Sequence, residues 1–222
     1  MLLKNRLFER QAPERDAKSI FIFCEGRKRE YQYFNYFKEI DSRINIEVYE
    51  LEPSENNSPK GLLEIAIKNI VDLSDRVMPK YDFHEDIDEV WLVFDTDEDR
   101  YSSREKQINK IYEECEKRKN WFAVQSNPCF EVWLYYHKET AIPNIKDIEK
   151  CSSWKKIVNT IFNGGFDSRK HPILYQDAIN NSKNNFTKQN NCLKAGDTEV
   201  FLLAESINKI VSKRISEVIS LI

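Results

Sequence analysis

Apolar positions along this chain fall into two periods. SIFIFCEG (residues 19–26) is a compact apolar run closed by Gly, and EVWLVFD (89–95) is the clearest run of the same kind. Such runs read as strands buried on both faces. INIEVYEL (44–51) alternates and is β-branched, and WFAVQ (121–125) is a fourth short run. Between them apolar residues recur at helical spacing. The first such stretch is 28–40, with Tyr33, Phe34, Tyr36 and Phe37 on one side. A second covers 62–73, and a third runs from Ser102, which forms a capping box with Glu105, to about residue 119. A fourth covers about 129–137, with Pro128 suited to the first helical position.

Strand and helix therefore alternate four times, which predicts parallel strands joined by crossover helices in an open α/β layer. After residue 140 the pattern changes. Residues 147–162, 172–189 and 198–221 are all helical in period, the last with Val200, Leu203, Ala204, Ile207, Val211, Ile215 and Val218 down one face. The expected organisation is an α/β domain over 1–140 and a mostly helical extension over 141–222 packed on it. Residues 1–18 read as a charged arm, frayed or packed on. The Asn-rich stretch 179–191 reads as a polar helix end or loop.

Composition narrows the function classes. The 222 residues carry 34 Lys and Arg against 37 Asp and Glu, a formal charge of −3. That balance excludes nucleic-acid binding by bulk charge alone. No apolar run approaches the roughly 20 residues of a membrane span, and the charged N-terminus does not read as a signal peptide. The five cysteines are odd in number with no CxxC spacing, which argues against a disulfide framework or a zinc site and for a reducing cytoplasm. With only three histidines, a metal would be held by oxygen, favouring a hard cation such as Mg²⁺ or Mn²⁺.

In an open parallel sheet, ligands bind beyond the carboxyl ends of the strands. The first strand ends in Cys24-Glu25-Gly26, with Glu30 in the following helix. The third ends in Asp95-Thr96-Asp97-Glu98-Asp99, and the fourth in Ser126-Asn127-Pro128, with Glu131 a turn later. On an extended chain Asp95 and Asp97 face the same side. Two like charges about 4 Å apart cost on the order of 4 kcal/mol at an effective dielectric of 20. The groups must point apart, stay protonated, or share a divalent cation. The cation is the economical reading, and it points to phosphate chemistry. Each residue also has a bland reading: acids end strands by meeting solvent, and Glu30 and Glu131 suit helix N-termini. Their coincidence at one edge is the signal.

CEGRKREYQYF (24–34), VWLVFDTDE (90–98) and SNPCFEVWLYYH (126–137) resemble, in order and spacing, the signatures of the RloB-like, abortive-infection (AbiLii-type) family within the Toprim-like group. The resemblance is firm over residues 19–140, and AGDTEVFLLAESI continues it more weakly toward the end. It implies a Toprim-like parallel α/β fold, with Glu25 as general acid/base or metal ligand and Asp95 and Asp97 holding Mg²⁺. Overcoming-lysogenization-type nucleases of that group imply matching roles for Glu30 and for Glu131 with Ser126. The implied activity is Mg²⁺- or Mn²⁺-dependent phosphodiester hydrolysis of DNA or RNA, in a bacterial phage-defence or restriction-associated system, beside a separate AAA-type ATPase. The chain itself has no GxxxxGK[ST] loop. Self-association is compatible with all of this.

Further candidates for phosphate or nucleic-acid contact are Arg27, Lys28 and Arg29 beside Glu25, Ser126 and Asn127, His137, and Lys170 in the loop after NGGFDSR. For His137 a buried position is the bland alternative. Two other classes compete with hydrolysis: a non-cleaving subunit that regulates the ATPase, and nucleotidyl transfer as in Toprim primases. A haloacid-dehalogenase-type phosphatase fits poorly, because its DxD lies on the first strand. Charge is unevenly spread. Residues 82–99 hold nine carboxylates and no Lys or Arg, whereas 151–194 hold seven Lys and Arg against two Asp. The helical extension is thus the candidate for a substrate's phosphate backbone.

Overall fold

In a computed structural model, residues 7–71, 78–97, 101–189 and 191–220 are described. Four strands, β1 (Lys18–Cys24), β2 (Ile44–Tyr49), β3 (Glu89–Asp95) and β4 (Trp121–Ser126), form one all-parallel sheet in the order β2-β1-β3-β4. This four-stranded parallel α/β layer is consistent with a Toprim-like fold. Alternate side chains of each strand leave opposite faces. Ile20, Ile22 and Cys24 enter one core with Trp91, Val93 and Val124, while Phe21 and Phe23 enter a second with Val90, Leu92 and Phe94. Burial on both faces is why these strands are continuous apolar runs rather than alternating ones.

Helices α2 (Pro59–Ile70) and α3 (Tyr101–Glu116) cover the second core. Helix α2 starts earlier than its apolar spacing predicts. Ser58 Oγ accepts the Gly61 N–H at 3.2 Å, and Pro59 occupies the first turn. Helix α3 has already begun at Tyr101, so Ser102 lies inside it rather than capping it. Helices α1 (Arg29–Asn35), α4 (Glu131–Tyr135), α5 (Cys151–Ile161), α6 (Tyr175–Asn185) and α7 (Val200–Ile219) contribute to the first core. The whole apolar face expected for α7 is buried there.

Helices α5 and α6 are shorter than the 147–162 and 172–189 that their spacing suggests, and α1 and α4 are shorter for visible reasons. The chain tightens after Asn35 into i→i+3 bonds, Tyr36 N to Tyr33 O and Phe37 N to Phe34 O among them. Glu39 then takes a left-handed φ of 62°. Pro128 does not open α4. It follows a cis Asn127–Pro128 bond, and the helix starts three residues later at Glu131. The arm over residues 7–17 is packed on: Phe8 is buried against Tyr36, and Gln11 N and Glu14 N bond to Glu39 O and Ser42 O. The Asn-rich stretch ends in an antiparallel pair, β5 (Lys188–Gln189) with β6 (Cys192–Leu193), too short to leave a periodic trace. Among the described residues no helix is long and apolar enough to cross a membrane.

The C-terminal helices do more than add bulk. Ser126 at the end of β4 bridges to Thr198, Asn127 N donates to Asp197 O at 2.9 Å, and Gly196 N donates to Asn127 O at 2.8 Å. The segment before α7 therefore clamps the carboxyl end of β4.

Candidate functional site

The carboxyl ends of β1, β3 and β4 meet at one edge. Glu25 N donates to Val93 O at 2.9 Å, and Thr96 N donates to Ser126 O at 2.8 Å. These backbone bonds carry the sheet's register past its last residues and fix Glu25, Asp95 and the turn at Asn127 side by side. Asp95 N donates to Glu25 Oε2 at 3.1 Å. Glu30 comes from the first turn of α1 and Glu131 from the first turn of α4, and both are only 7% exposed. Gly26 is required here by close approach. A Cβ at that position would lie 1.7 Å from Glu30 Oε2.

The acids press on one another. Burial, then Glu131 and Glu25, push the Glu30 carboxyl up to about 7 against its own backbone hydrogen bond. Asp95 is raised well above the usual carboxylate range by burial and then by Glu30, Glu25 and Glu131. The Cys24 thiol beneath them is raised by burial, Glu30 and Asp95.

Asp97 departs from the expected geometry. Strand β3 ends at Asp95, and Asp97 has a left-handed φ of 50° with its N–H on Pro128 O at 3.0 Å. The same-side argument for an extended DxD therefore does not hold. Asp tolerates this backbone better than most residues. Glu98 and Asp99 lie outside the described residues.

The sequence reading missed Arg104. Helix α3 delivers this side chain, 8% exposed, into the acid cluster. Its Nη1 donates to Glu25 Oε1 at 2.9 Å and its Nη2 to Glu25 Oε2, a two-pronged pairing. Nη2 also donates to Asp95 O at 2.9 Å, and Nη1 lies 3.5 Å from Asp97 Oδ2. Burial works against this guanidinium's charge, but Glu25, Asp97 and Asp95 together hold its pKa above the ordinary value. Lys155 of α5 was missed as well. Glu131 above all, then Cys129, Cys151 and Asp95, raises its pKa, so the basic extension reaches the acidic edge.

Several expected contact residues are committed elsewhere. Arg27 donates to Pro53 O and Glu55 O, bracing the loop before α2. Arg29 Nη1 donates to Phe166 O at 3.2 Å and ties the NGGFDSR loop to the start of α1. Lys28 and Lys170 are exposed. Ser126 Oγ pairs with Thr198 Oγ1 at 2.7 Å inside the protein. Asn127 is buried too, with Nδ2 on Leu193 O and Oδ1 without a hydrogen-bond partner.

His137 corrects the expectation of a phosphate contact. It is 2% exposed, with Nδ1 on Trp133 O and Nε2 on the Tyr33 hydroxyl, among the rings of Tyr33, Trp133 and Phe166. Burial lowers its pKa to about 3, so it is a neutral core residue. The described cysteines, Cys24, Cys115, Cys129 and Cys151, are all free thiols.

The donor set is all oxygen and mutually repelling, which suits a hard divalent cation that would relieve that repulsion. Among the described residues no three His, Cys, Asp or Glu side chains stand together in a metal-holding group, and Glu25 and Asp97 are turned to Arg104. Searches among curated proteins and among solved structures return no match. The model of one protein family, described as RloB-like protein, matches residues 20–207 and so spans the sheet, the acidic edge and most of the helical extension. The chain belongs to the RloB-like protein family.

Proposed function

We propose that this RloB-like protein is a metal-dependent nuclease that hydrolyses phosphodiesters in DNA or RNA. The observation that carries the reading is the convergence of Glu25, Glu30, Asp95 and Glu131 at the carboxyl edge of the sheet, with Glu30 titrating near 7. Mutual repulsion of this size in a marginally stable protein needs a function to justify it. Asp95, Asp97, Glu30 and Glu131, with Glu25, are the residues that would hold Mg²⁺ or Mn²⁺. Such a cation supplies an activated water and stabilises the charge developing on the leaving oxygen. Glu30 is suited to holding or passing a proton near neutral pH. Lys155 and the basic residues of 151–194 would orient the phosphate backbone beside the acids.

The proposed setting is bacterial phage defence, with a separate AAA-type ATPase supplying the nucleotide hydrolysis for which this chain has no GxxxxGK[ST] loop. The assay is cleavage of plasmid, linear duplex and RNA with Mg²⁺ or Mn²⁺, with and without that ATPase, comparing the wild type with Glu25→Ala and Asp95→Ala. Loss of cleavage in both variants is expected; unchanged cleavage in both overturns the mechanism. One observation favours a second reading, a non-cleaving regulatory subunit: Glu25 is already neutralised by Arg104. No cleavage of any substrate with the ATPase present would select it.

A further inference from the structure

The guanidinium of Arg104 sets a positive charge among the acids at this edge. It engages both oxygens of Glu25, the backbone carbonyl of Asp95 and the carboxylate of Asp97. It reaches them from α3, a different element from those that carry the acids. Its side chain is almost wholly enclosed, and its Nε has no hydrogen-bond partner. The enclosed Nε of Arg214 lacks a partner too, so what sets Arg104 apart is where its other donors point. Arg104 satisfies only those that face the acids.

We propose that Arg104 is a positioning residue that competes with the divalent cation for Glu25 and Asp97. The inference deepens the nuclease reading and rests on it. Arg104 donates to each oxygen of Glu25, and Oε2 also takes the Asp95 N–H, so a cation that binds Glu25 does so against the positive charge of the guanidinium and for the lone pairs that remain. The contact to Asp97 is the longer, at 3.5 Å, and is the one that yields first. Metal occupancy is then set by Arg104 as much as by the acids. The cluster also keeps a partial counter-charge when metal is scarce, which limits the repulsion among its carboxylates.

The test measures Mn²⁺ binding directly, by calorimetry and by the paramagnetic resonance of free Mn²⁺, on wild type, Arg104→Lys and Arg104→Gln. A structural role alone predicts weaker binding in both variants, because the cluster would lose its brace. Competition predicts the reverse order: Arg104→Gln binds at least tenfold tighter than wild type, with Arg104→Lys between them. Wild-type binding with no gain in either variant overturns the competition and leaves the metal reading intact. No binding in any of the three overturns both. If neither variant folds, the wild type decides. Saturating Mg²⁺ must shift the slowly exchanging guanidinium signal of the buried arginine in a nitrogen-15 spectrum, and an unmoved signal overturns the proposal.

Discussion

Clusters of acids flank both ends of strand β3, and they are handled in opposite ways. At the amino end, Asp88 and Glu89 are as buried as Glu30 and Glu131 at the other, but every oxygen has a donor. Asp88 takes Ser19 N at 2.7 Å and His84 N at 2.9 Å. Glu89 takes Lys18 Nζ, Trp91 Nε1 at 2.8 Å and Ser206 Oγ at 2.6 Å. Burial opposes its charge, yet these partners hold Glu89 below the usual carboxylate range. At the carboxyl end Glu30 and Asp95 are raised by burial and by one another. Buried acid is thus no mark of a site in itself. Buried acid facing other acids is.

The largest expected difference between the two ends is in turnover. Asp95→Asn should cut metal-dependent cleavage by about a thousandfold or more, about 4 kcal/mol of barrier, while Glu89→Gln leaves it close to wild type per folded molecule. Equal losses at both ends would erase the comparison. The measurement is initial rate against folded fraction on the best substrate of the three.

Titration separates the ends next. Below about pH 4.5 folded and unfolded chains both hold the Glu30 proton; from there to about 7 only the folded chain does. In EDTA, stability should therefore fall as pH rises across that window, with Glu30 contributing about 3 kcal/mol and the raised Asp95 adding to the fall with the same sign. Glu89 has the opposite sign: its contribution is present above its unfolded pKa and is lost as pH falls through its lowered folded value. Urea melts at a series of pH values check this. Glu30→Gln should reduce the slope between pH 4.5 and 7, leaving the part that belongs to Asp95, and a slope unchanged in the variant would take Glu30 out of it.

How much of this was legible in the chain follows from the same contrast. Strands β1 and β3 were readable because burial on both faces leaves an unbroken apolar run, as in 89–95, and β2 because it alternates. Glu25, Asp95 and Glu131 could be placed because each follows a strand end within a few residues. Which acids repel and which are satisfied could not be read. Two of the three partners of Glu89, Lys18 and Ser206, are 71 and 117 residues away, and Arg104 is 79 residues from Glu25. A basic residue early in the helix after the DxD strand was the one available hint. The left-handed turn at Asp97 and the fold-back after Asn127 depend on loop bonds between β3 and β4, such as Asp97 N to Pro128 O. Spacing along the chain carries no trace of those.

Lys18→Met probes the satisfied end. It leaves Glu89 with its two neutral donors and no cation. Because the lysine is a quarter exposed, the cost should be nearer 2 kcal/mol than the 3–5 kcal/mol of a fully enclosed pair. Metal binding at the far edge should not change. A loss of Mn²⁺ affinity in this variant would mean that the two ends of β3 are coupled.

The smallest effect belongs to a residue at neither end. His137→Phe keeps a ring of similar breadth in the aromatic cluster but removes the partner of the Tyr33 hydroxyl and the contact to Trp133 O. An enclosed hydroxyl left without a partner costs about 1–2 kcal/mol. Because burial holds the wild-type imidazole neutral down to about pH 3, the substitution removes no charge from any phosphate near neutral pH. The melting midpoint should drop modestly, while cleavage and its pH profile stay unchanged. A variant that melts like the wild type yet fails to bind nucleic acid would return His137 to the functional surface and overturn the reading of this enclosed histidine as packing alone.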